Sequence, residues 1–197
     1  WRDPLPAARA EAQRSVEHPR LHNYAPVQGE AALLDAIERH LLRRAGAAPD
    51  RALVQVVSGA TPGLGCVVDA LVSPGDEVLL PSPFWPLIRG TIHRRGATAV
   101  EVPFFTRLDA PGFDPEAALE AAVTPRTVAV YVNTPHNPTG RILDDATLAA
   151  IARVAARHDL WILCDEVYED LWLGDAPPPA PWARTDFRDR AVAVHSL

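Results

Sequence analysis

The sequence predicts an α/β protein in which a mainly parallel β-sheet is covered by helices on both faces. Two observations support this fold class. Short apolar runs, many of them β-branched, alternate with helical segments along the chain. These runs are almost continuously apolar, which is typical of strands that are buried on both faces. In such sheets ligands bind beyond the carboxyl ends of the strands, so polar residues that directly follow a strand are the candidates for chemistry.

Six apolar runs are predicted to be strands: Leu53–Val57, Glu77–Pro81, Ala97–Val102, Thr127–Val132, Trp161–Cys164 and Ala191–His195. A helix is predicted over Glu30–Arg44, because Leu34, Ile37 and Leu41 recur at helical spacing. Four further helices are predicted: Pro62–Leu71, Pro86–Arg95, Pro115–Ala122 and Asp144–His158.

The composition is that of a globular protein, since 48% of the 197 residues are hydrophobic and 22% are charged. The formal net charge of −6 argues against a nucleic-acid partner and against an anionic membrane. No apolar run reaches the length of a membrane span and the first residues show no signal-peptide pattern, so a cytoplasmic location is expected. The two cysteines, Cys66 and Cys164, lie far apart, and neither a disulfide nor a metal site is expected.

Two residue types are missing from the sequence. It contains no methionine and opens on Trp1, so we expect it to begin inside a longer protein. It also contains no lysine, because all 19 of its lysine-or-arginine residues are arginines. No side chain in these residues can therefore supply the amine of a Schiff base.

The first candidate site follows the predicted strand Leu53–Val57. Gly59 lets the backbone approach a ligand closely, and Thr61 is predicted to cap the next helix, with Pro62 at its first position. The free N–H groups of Ala60 and Thr61 would then face an anion at the helix N-terminus. An ordinary capped helix start explains the same residues without any ligand.

Two further candidates follow the second and fourth predicted strands. Trp85 could form one wall of a pocket for a flat ring, although buried tryptophans usually belong to the core. Asn137 lies in a turn that Pro135, Pro138 and Gly140 make rigid, so its amide would be held in place to donate hydrogen bonds. A purely structural Asx-turn is the alternative for Asn137.

The last candidates follow the fifth predicted strand. Asp165 ends that strand, so its carboxylate is expected at the floor of the ligand-binding crevice beyond the strand ends. Tyr168 could point at a ligand bound in that crevice. A strand-end aspartate that caps a turn is the structural alternative. We expect Ser58, Asn133 and Asp165 to lie at the carboxyl edge of neighbouring strands, with the side chains of Asn137, Asp165 and Tyr168 converging on one crevice.

Taken in order, these motifs resemble the fold-type I pyridoxal-phosphate (PLP) enzymes, particularly the class I and II aminotransferases. The matching segments are Tyr24–Gly29, Gly59–Thr61, Pro74–Val78, Pro83–Pro86, Asn137–Gly140, Asp165–Tyr168 and His195–Leu197. The most specific part is the pair Asn-Pro-Thr-Gly and Asp-x-x-Tyr, separated by one helix and one strand. The resemblance covers essentially the whole chain and implies the family's large domain, a three-layer α/β/α structure with a mainly parallel sheet, here incomplete.

The resemblance implies how the ring of pyridoxal phosphate would be bound. Asp165 would hold the pyridine nitrogen and favour the protonated ring, which then acts as an electron sink. Asn137 and Tyr168 would hydrogen-bond the 3-oxygen of the ring. Trp85 would stack on the face of the ring.

The resemblance also implies a phosphate site and a dimer. The N–H groups of Ala60 and Thr61, beside Gly59, and the hydroxyl of Ser196 match the family's phosphate cradle. Tyr24 matches a tyrosine that reaches the phosphate of the neighbouring subunit. A homodimer with shared active sites follows from that assignment.

The resemblance places the family's catalytic groups outside this sequence. The Schiff-base lysine would lie two residues beyond the position of Ser196, past Leu197, and the arginine that binds the substrate carboxylate belongs to the family's C-terminal part. No catalytic residue is therefore assigned in this chain, and we expect it to be a fragment that is inactive alone. Two departures are seen: Pro62 stands where a helix-forming residue is usual, and Asp35 where an arginine is frequent.

These residues predict the cofactor and leave the reaction open. Transamination between an amino acid and a 2-oxo acid is the leading hypothesis, with a PLP-dependent carbon–sulfur lyase or synthase, or a non-catalytic aminotransferase-like regulatory module, as alternatives. A nucleotide-binding domain is disfavoured, because the sequence has neither G-x-G-x-x-G after the first strand nor a Walker A motif. Residues 1–45 are predicted to form an N-terminal segment and domain-linking helix, and residues 46–197 the PLP-binding large domain.

Overall fold

A computed structural model describes residues 3–19, 22–175 and 177–196 of the chain. They contain a five-stranded sheet in which every neighbouring pair of strands is parallel, in the order β2-β1-β3-β4-β5. The strands are β1 Glu77–Ser82, β2 Thr98–Pro103, β3 Thr127–Asn133, β4 Trp161–Asp165 and β5 Ala191–Val194. The predicted parallel sheet is therefore confirmed.

Within the described residues six α-helices accompany the sheet: α1 Pro6–Ser15, α2 Ala31–Ala45, α3 Ala60–Leu71, α4 Pro86–Arg94, α5 Pro115–Glu120 and α6 Asp145–Arg157. Single 3₁₀ turns occur at Arg51–Leu53 and Pro181–Ala183. Among the residues described, no helix combines the length and the apolar character that a bilayer crossing would require. Helix α1 was not predicted, because none of its residues is buried and it has no apolar stripe that a sequence pattern could reveal.

Each face of the sheet buries a core of its own. On β1 the side chains of Val78 and Leu80 pack in one core and Leu79 in the other, and all three are completely buried. Helices α3 and α4 cover the first core, to which α3 contributes Leu64, while α5 and α6 cover the second, to which α6 contributes Leu148. The chain thus forms the three layers expected, and burial on both faces explains the apolar strands.

The first predicted strand, Leu53–Val57, is wrong. Leu53 ends a 3₁₀ turn, Val54 has extended backbone angles, and the N–H of Val56 donates to the carbonyl of Gln28 at 2.9 Å. Ser58 was expected to follow a strand at the carboxyl edge of the sheet. It does not, because residues 53–57 are not part of the described sheet. The physical reason is that apolar, β-branched sequence indicates only that a segment can be extended, whereas a strand also requires a neighbouring strand to complete its hydrogen bonds.

A glycine holds the start of α3 against the sheet. A Cβ atom added at Gly63 would lie 3.1 Å from Cγ2 of Val57 and 3.2 Å from Cγ1 of Val194. These distances are shorter than most van der Waals contacts of a methyl group, so the helix can approach this closely only because the side chain is absent. The N-terminus of α3 is thereby fixed beside the carboxyl end of β5.

The turn after β3 is held by a buried histidine. The ring of His136 stacks on Phe105 with 3.4 Å between ring centroids, and its Nδ1 lies 2.7 Å from the hydroxyl of Thr139. The N–H of His136 donates to the carbonyl of Arg141 and its carbonyl accepts from the N–H of Gly140, both at 2.8 Å. Burial lowers the pKa of His136 from 6.5 to about 4. The turn therefore contains a neutral imidazole.

This histidine should make stability depend on pH. Its folded-state pKa of about 4 lies below its ordinary value of 6.5, so the unfolded chain binds the proton more readily. The free energy of unfolding should therefore fall as pH decreases from 6.5 towards 4. In His136→Asn, whose amide can replace Nδ1 but does not titrate, we expect this loss to shrink by up to about 3 kcal/mol. Urea denaturation of the full-length protein across that pH range measures the difference.

The matched control is His93→Asn, which removes an exposed histidine from α4. That variant should keep the pH dependence of the unmodified protein, since it leaves the buried turn around His136 unchanged. If His136→Asn and the unmodified protein lose stability equally between neutral and acidic pH, the buried neutral imidazole is not the cause.

Candidate active site

The candidate site lies where β3 and β4 end side by side. Asn133, the last residue of β3, is the register partner of Asp165, the last residue of β4. Its Nδ2 donates to the backbone carbonyl of Asp165 at 2.9 Å, and its Oδ1 accepts from the N–H of Asn137 at 2.8 Å. Asn133 is almost completely buried, so this one side chain joins the turn after β3 to the end of β4.

Two predicted residues meet across the crevice. Nδ2 of Asn137 donates to the hydroxyl oxygen of Tyr168 at 3.2 Å, and both side chains are half-buried. Because Asn137 supplies the proton of this bond, the Tyr168 hydroxyl keeps its own proton for another acceptor. The pair thus presents amide and hydroxyl donors at one place, as expected from the sequence.

Asp165 is a buried carboxylate that no described cationic side chain pairs with. The residue is 4% exposed. Its Oδ2 accepts a hydrogen bond from the hydroxyl of Tyr131, and its Oδ1 accepts a long one, 3.3 Å, from the N–H of Val167. Burial raises the pKa of Asp165, while these two hydrogen bonds act in the opposite direction. Such a carboxylate suits a cationic N–H group of a ligand, which would supply the missing positive charge.

Helix α3 starts with the residues predicted to bind phosphate. The N-cap is Gly59, with φ at +111°, and not Thr61 as predicted. Ala60 and Thr61 are then the first two helical residues, and Pro62 is the third. Gly59 takes this position because a φ of +111° is readily adopted only by a residue without a Cβ atom. The N–H groups of Ala60 and Thr61 remain without an acceptor inside the helix, as a phosphate site requires.

The other three predicted residues lie in three different segments of the chain. Ser196 is exposed and lies two residues beyond Val194, the register partner of Asp165, so it is at the same edge of the sheet. Trp85 is partly buried and packs at the start of α4. Tyr24 is fully exposed and takes no part in the crevice of its own chain.

A buried cluster of ionisable side chains, formed by Glu166, Glu169, His195 and His40, lies at the carboxyl end of β5. The sequence did not predict it. Oε1 of Glu169 lies 2.8 Å from Nδ1 of His195 and 3.5 Å from Nε2 of His40 on α2. Oε1 of Glu166 accepts from the N–H of Trp182 at 3.1 Å. Both glutamates are at most 3% exposed. Glu166 and His195 lie inside two of the matching segments, so two acidic residues after one strand and a histidine at the end of the next were the available signal.

This cluster shifts the pKa values of its members. Burial raises the pKa of Glu166 to about 7. Burial alone would lower the pKa of His195, but the hydrogen bond to Glu169 and the charges of both glutamates raise it. Glu166, Glu169 and His195 have possible metal-ligand atoms within 4.8 Å of one another. The positive charge of Arg44 also acts on Glu166 and lowers its pKa, so it offsets part of this negative charge.

The chain was compared with known proteins. The family model described as aminotransferase class I and II matches residues 1–197. The arginine–pyruvate transaminase of Pseudomonas aeruginosa is 39% identical over 176 residues, which are 89% of this chain and 44% of that protein. The probable N-succinyldiaminopimelate aminotransferase of Mycobacterium tuberculosis is 42% identical over 153 residues, covering 77% of this chain and 38% of that protein.

Solved structures of such enzymes superpose closely on this one. The N-succinyldiaminopimelate aminotransferase of Mycobacterium tuberculosis has a TM-score of 0.88 at 35% identity, over 99% of this chain and 50% of that one. An Escherichia coli protein with a methionine aminotransferase function has a TM-score of 0.89 at 30% identity, over 100% and 51%. This chain spans about half the length, or less, of the curated relatives it matches. The match along its whole printed length, together with these identities, shows that the chain belongs to the class I and II aminotransferase family.

Proposed function

We propose that the full-length protein is a pyridoxal-phosphate-dependent aminotransferase, which exchanges an amino group between an amino acid and a 2-oxo acid. Members of its family use pyridoxal phosphate. The observation that carries the proposal is the buried Asp165 carboxylate at the sheet edge, where Asn133 joins the Asp165 backbone to the turn that carries the donor pair of Asn137 and Tyr168. A carboxylate in that setting fits a protonated ring nitrogen, and the donor pair fits an anionic oxygen on the same ring.

When bound, pyridoxal phosphate would supply an electron sink for the negative charge that forms on the substrate α-carbon. Asp165 would hold the ring nitrogen and keep its proton in place, because a nearby carboxylate stabilises the cationic form of a base. The Tyr168 hydroxyl, whose oxygen already accepts from Asn137, would donate its proton to the 3-oxygen of the ring. Trp85 would pack against the ring face.

The phosphate group would be bound at the start of α3. The N–H groups of Ala60 and Thr61 lie at the positive end of the helix dipole, and Gly59 leaves the approach open. Ser196, at the same edge of the sheet, would add its hydroxyl. Val194 packs against α3 at Gly63, which would keep the two halves of this cradle at a constant separation.

The catalytic amine would then belong to the part of the protein outside these 197 residues. The sequence contains no lysine, so none of its side chains can bind the cofactor covalently through an amine. We place residues 1–45 in an N-terminal segment and domain-linking helix, and residues 46–197 in the PLP-binding large domain. We further propose a role in amino-acid metabolism in the cytoplasm.

The same proposal includes a homodimer with shared active sites. Tyr24 is fully exposed and lies in the N-terminal segment, away from the crevice of its own chain. A tyrosine in that position suits a contact with the phosphate bound by a second copy. Closed two-fold symmetry would then place each Tyr24 in the partner's site.

The activity can be tested by comparing the full-length protein with the 197-residue chain alone. The full-length protein with pyridoxal phosphate should convert an amino acid and a 2-oxo acid to the exchanged pair, and sodium borohydride should attach the cofactor irreversibly to a lysine outside residues 1–197. The purified 197-residue chain should show neither result, because it has no lysine. Coupled amino-acid assays and mass spectrometry of peptides provide the two measurements.

Turnover by the 197-residue chain, free of host transaminases, would contradict this mechanism. A full-length protein that consumes the amino acid without any 2-oxo acid would instead be a lyase. No turnover with any amino acid, despite bound pyridoxal phosphate, would favour a regulatory role.

The shared site can be tested with mixed dimers of the full-length protein. Asp165→Asn and Tyr24→Phe should each impair activity in the homodimer. In a mixed dimer, the Tyr24→Phe subunit keeps Asp165 and receives an intact Tyr24 from its partner. Random mixing of the two impaired proteins should therefore make about a quarter of all sites intact, and activity should rise accordingly.

The mixture would stay inactive if Tyr24 served its own subunit, because no intact site would then exist. A Tyr24→Phe homodimer with undiminished activity would equally exclude the assigned role. Mixing two preparations of Asp165→Asn is the matched control, and it should restore nothing.

A further inference from the structure

Tyr131 makes a contact that neither the motifs nor the proposed roles explain. It lies in β3, two residues before Asn133, and is 2% exposed. Its ring belongs to the apolar core beneath α3, together with Leu163 and Val68. Its hydroxyl donates to Oδ2 of Asp165. The ring of Tyr131 thus packs in the core, while its hydroxyl is the one polar atom of the side chain and lies at the candidate site.

The register of the sheet makes this contact possible. Tyr131 is the register partner of Leu163, and Asn133 is the partner of Asp165. Side chains alternate between the faces of a strand, so Tyr131 and Asn133 project to the same face as Asp165. The Tyr131 hydroxyl reaches the Asp165 carboxylate on the neighbouring strand, two residues beyond its own register partner. Asn133 binds the backbone carbonyl of Asp165 at 2.9 Å.

The hydrogen bond has a fixed direction. Burial and the neighbouring Asp165 charge both raise the pKa of Tyr131 far above its ordinary value. The phenol therefore stays protonated beside the ionised Asp165 and donates to its carboxylate. Its orientation is held by the packed core, so the donor cannot turn away as a surface hydroxyl would.

The surroundings leave few other groups to stabilise the negative charge of Asp165. The titratable neighbours are Cys164 on β4, Glu166 after it, and Tyr168 in the following turn, and none of these is a cation. The backbone donor Val167 is 3.3 Å away, which makes a weak hydrogen bond. The Tyr131 hydroxyl is the one side chain among the described residues that donates to this carboxylate.

We propose that Tyr131 is a positioning residue, whose hydroxyl orients the Asp165 carboxylate and stabilises its negative charge for the ring nitrogen of pyridoxal phosphate. This inference rests on the proposed function. Tyr131 does not touch the cofactor in this scheme, and its whole effect passes through Asp165. Removing the Tyr131 hydroxyl should therefore weaken the binding of pyridoxal phosphate only when the Asp165 carboxylate is present.

The experiment is a double-mutant cycle on the full-length apoprotein. Calorimetry measures the Kd of pyridoxal phosphate for the unmodified protein, Tyr131→Phe, Asp165→Asn and the double variant. Tyr131→Phe should weaken binding about tenfold, the effect of one hydrogen bond to a charged group. In the Asp165→Asn background the same change should weaken binding by less than about twofold.

A second measurement needs no cofactor. Carbon-13 NMR of the labelled apoprotein follows the carboxyl titration of Asp165, with Asp165→Asn identifying its resonance. In Tyr131→Phe the pKa of Asp165 should rise, because burial is then opposed by one hydrogen bond fewer. Tyr131→Leu, which also lacks the hydroxyl, replaces Tyr131→Phe should that variant fail to fold.

The matched control is Thr127→Val, which removes another buried hydroxyl from β3. Thr127 lies at the opposite end of the strand, where its hydroxyl accepts from the N–H of Thr124 at 2.9 Å. This variant should change neither the Kd nor the pKa of Asp165. Equal losses of affinity from Tyr131→Phe in both backgrounds, or an unchanged pKa of Asp165, would overturn the proposal. A protein that binds pyridoxal phosphate but never transaminates would overturn the proposed function alone, since the cycle still decides the role of Tyr131.

Discussion

The parallel register between β3 and β4 is the constraint on which the rest of the site depends. It places Asn133 opposite Asp165, so that one amide side chain binds the end of β4 and the turn after β3. That turn then presents Asn137 to Tyr168. A slip of one residue would move Asp165 to the other face of the sheet, away from Tyr131 and the crevice. The chemistry proposed here therefore follows from strand pairing as much as from the choice of polar residues.

The same edge extends to β5, where polar contacts and close packing hold the strand end in place. The N–H of Glu166 donates to the carbonyl of Val194 at 2.9 Å, and Glu169 pairs with His195. His40 brings α2 to the same glutamate. The segment that carries Ser196 is thus joined both to the turn after Asp165 and to the helix that follows the N-terminal segment. Burying these charges is unfavourable unless they pair, which explains why several ionisable groups gather at one point.

The sequence predicted well those features that local chemistry determines. Apolar runs identified five strands, and the order of motifs led to Asn137, Asp165 and Tyr168. It failed where a second segment decides the outcome. Leu53–Val57 has the composition of a strand but bonds to Gln28 and not to the sheet. The contact between Tyr131 and Asp165 joins residues 34 positions apart, and an apolar strand pattern gives no sign that one of its members carries a hydrogen bond into a site.

In the proposed function, Asp165 keeps a proton on the ring nitrogen of pyridoxal phosphate. The most direct measurement is nitrogen-15 NMR of ring-labelled pyridoxal phosphate bound to the full-length protein. We expect the resonance of a protonated ring nitrogen in the unmodified protein and in Asp69→Asn, which alters an exposed ion pair between α3 and α4. In Asp165→Asn we expect an unprotonated nitrogen, because the amide cannot stabilise the cationic ring. The same resonance in all three proteins would show that Asp165 does not hold this proton.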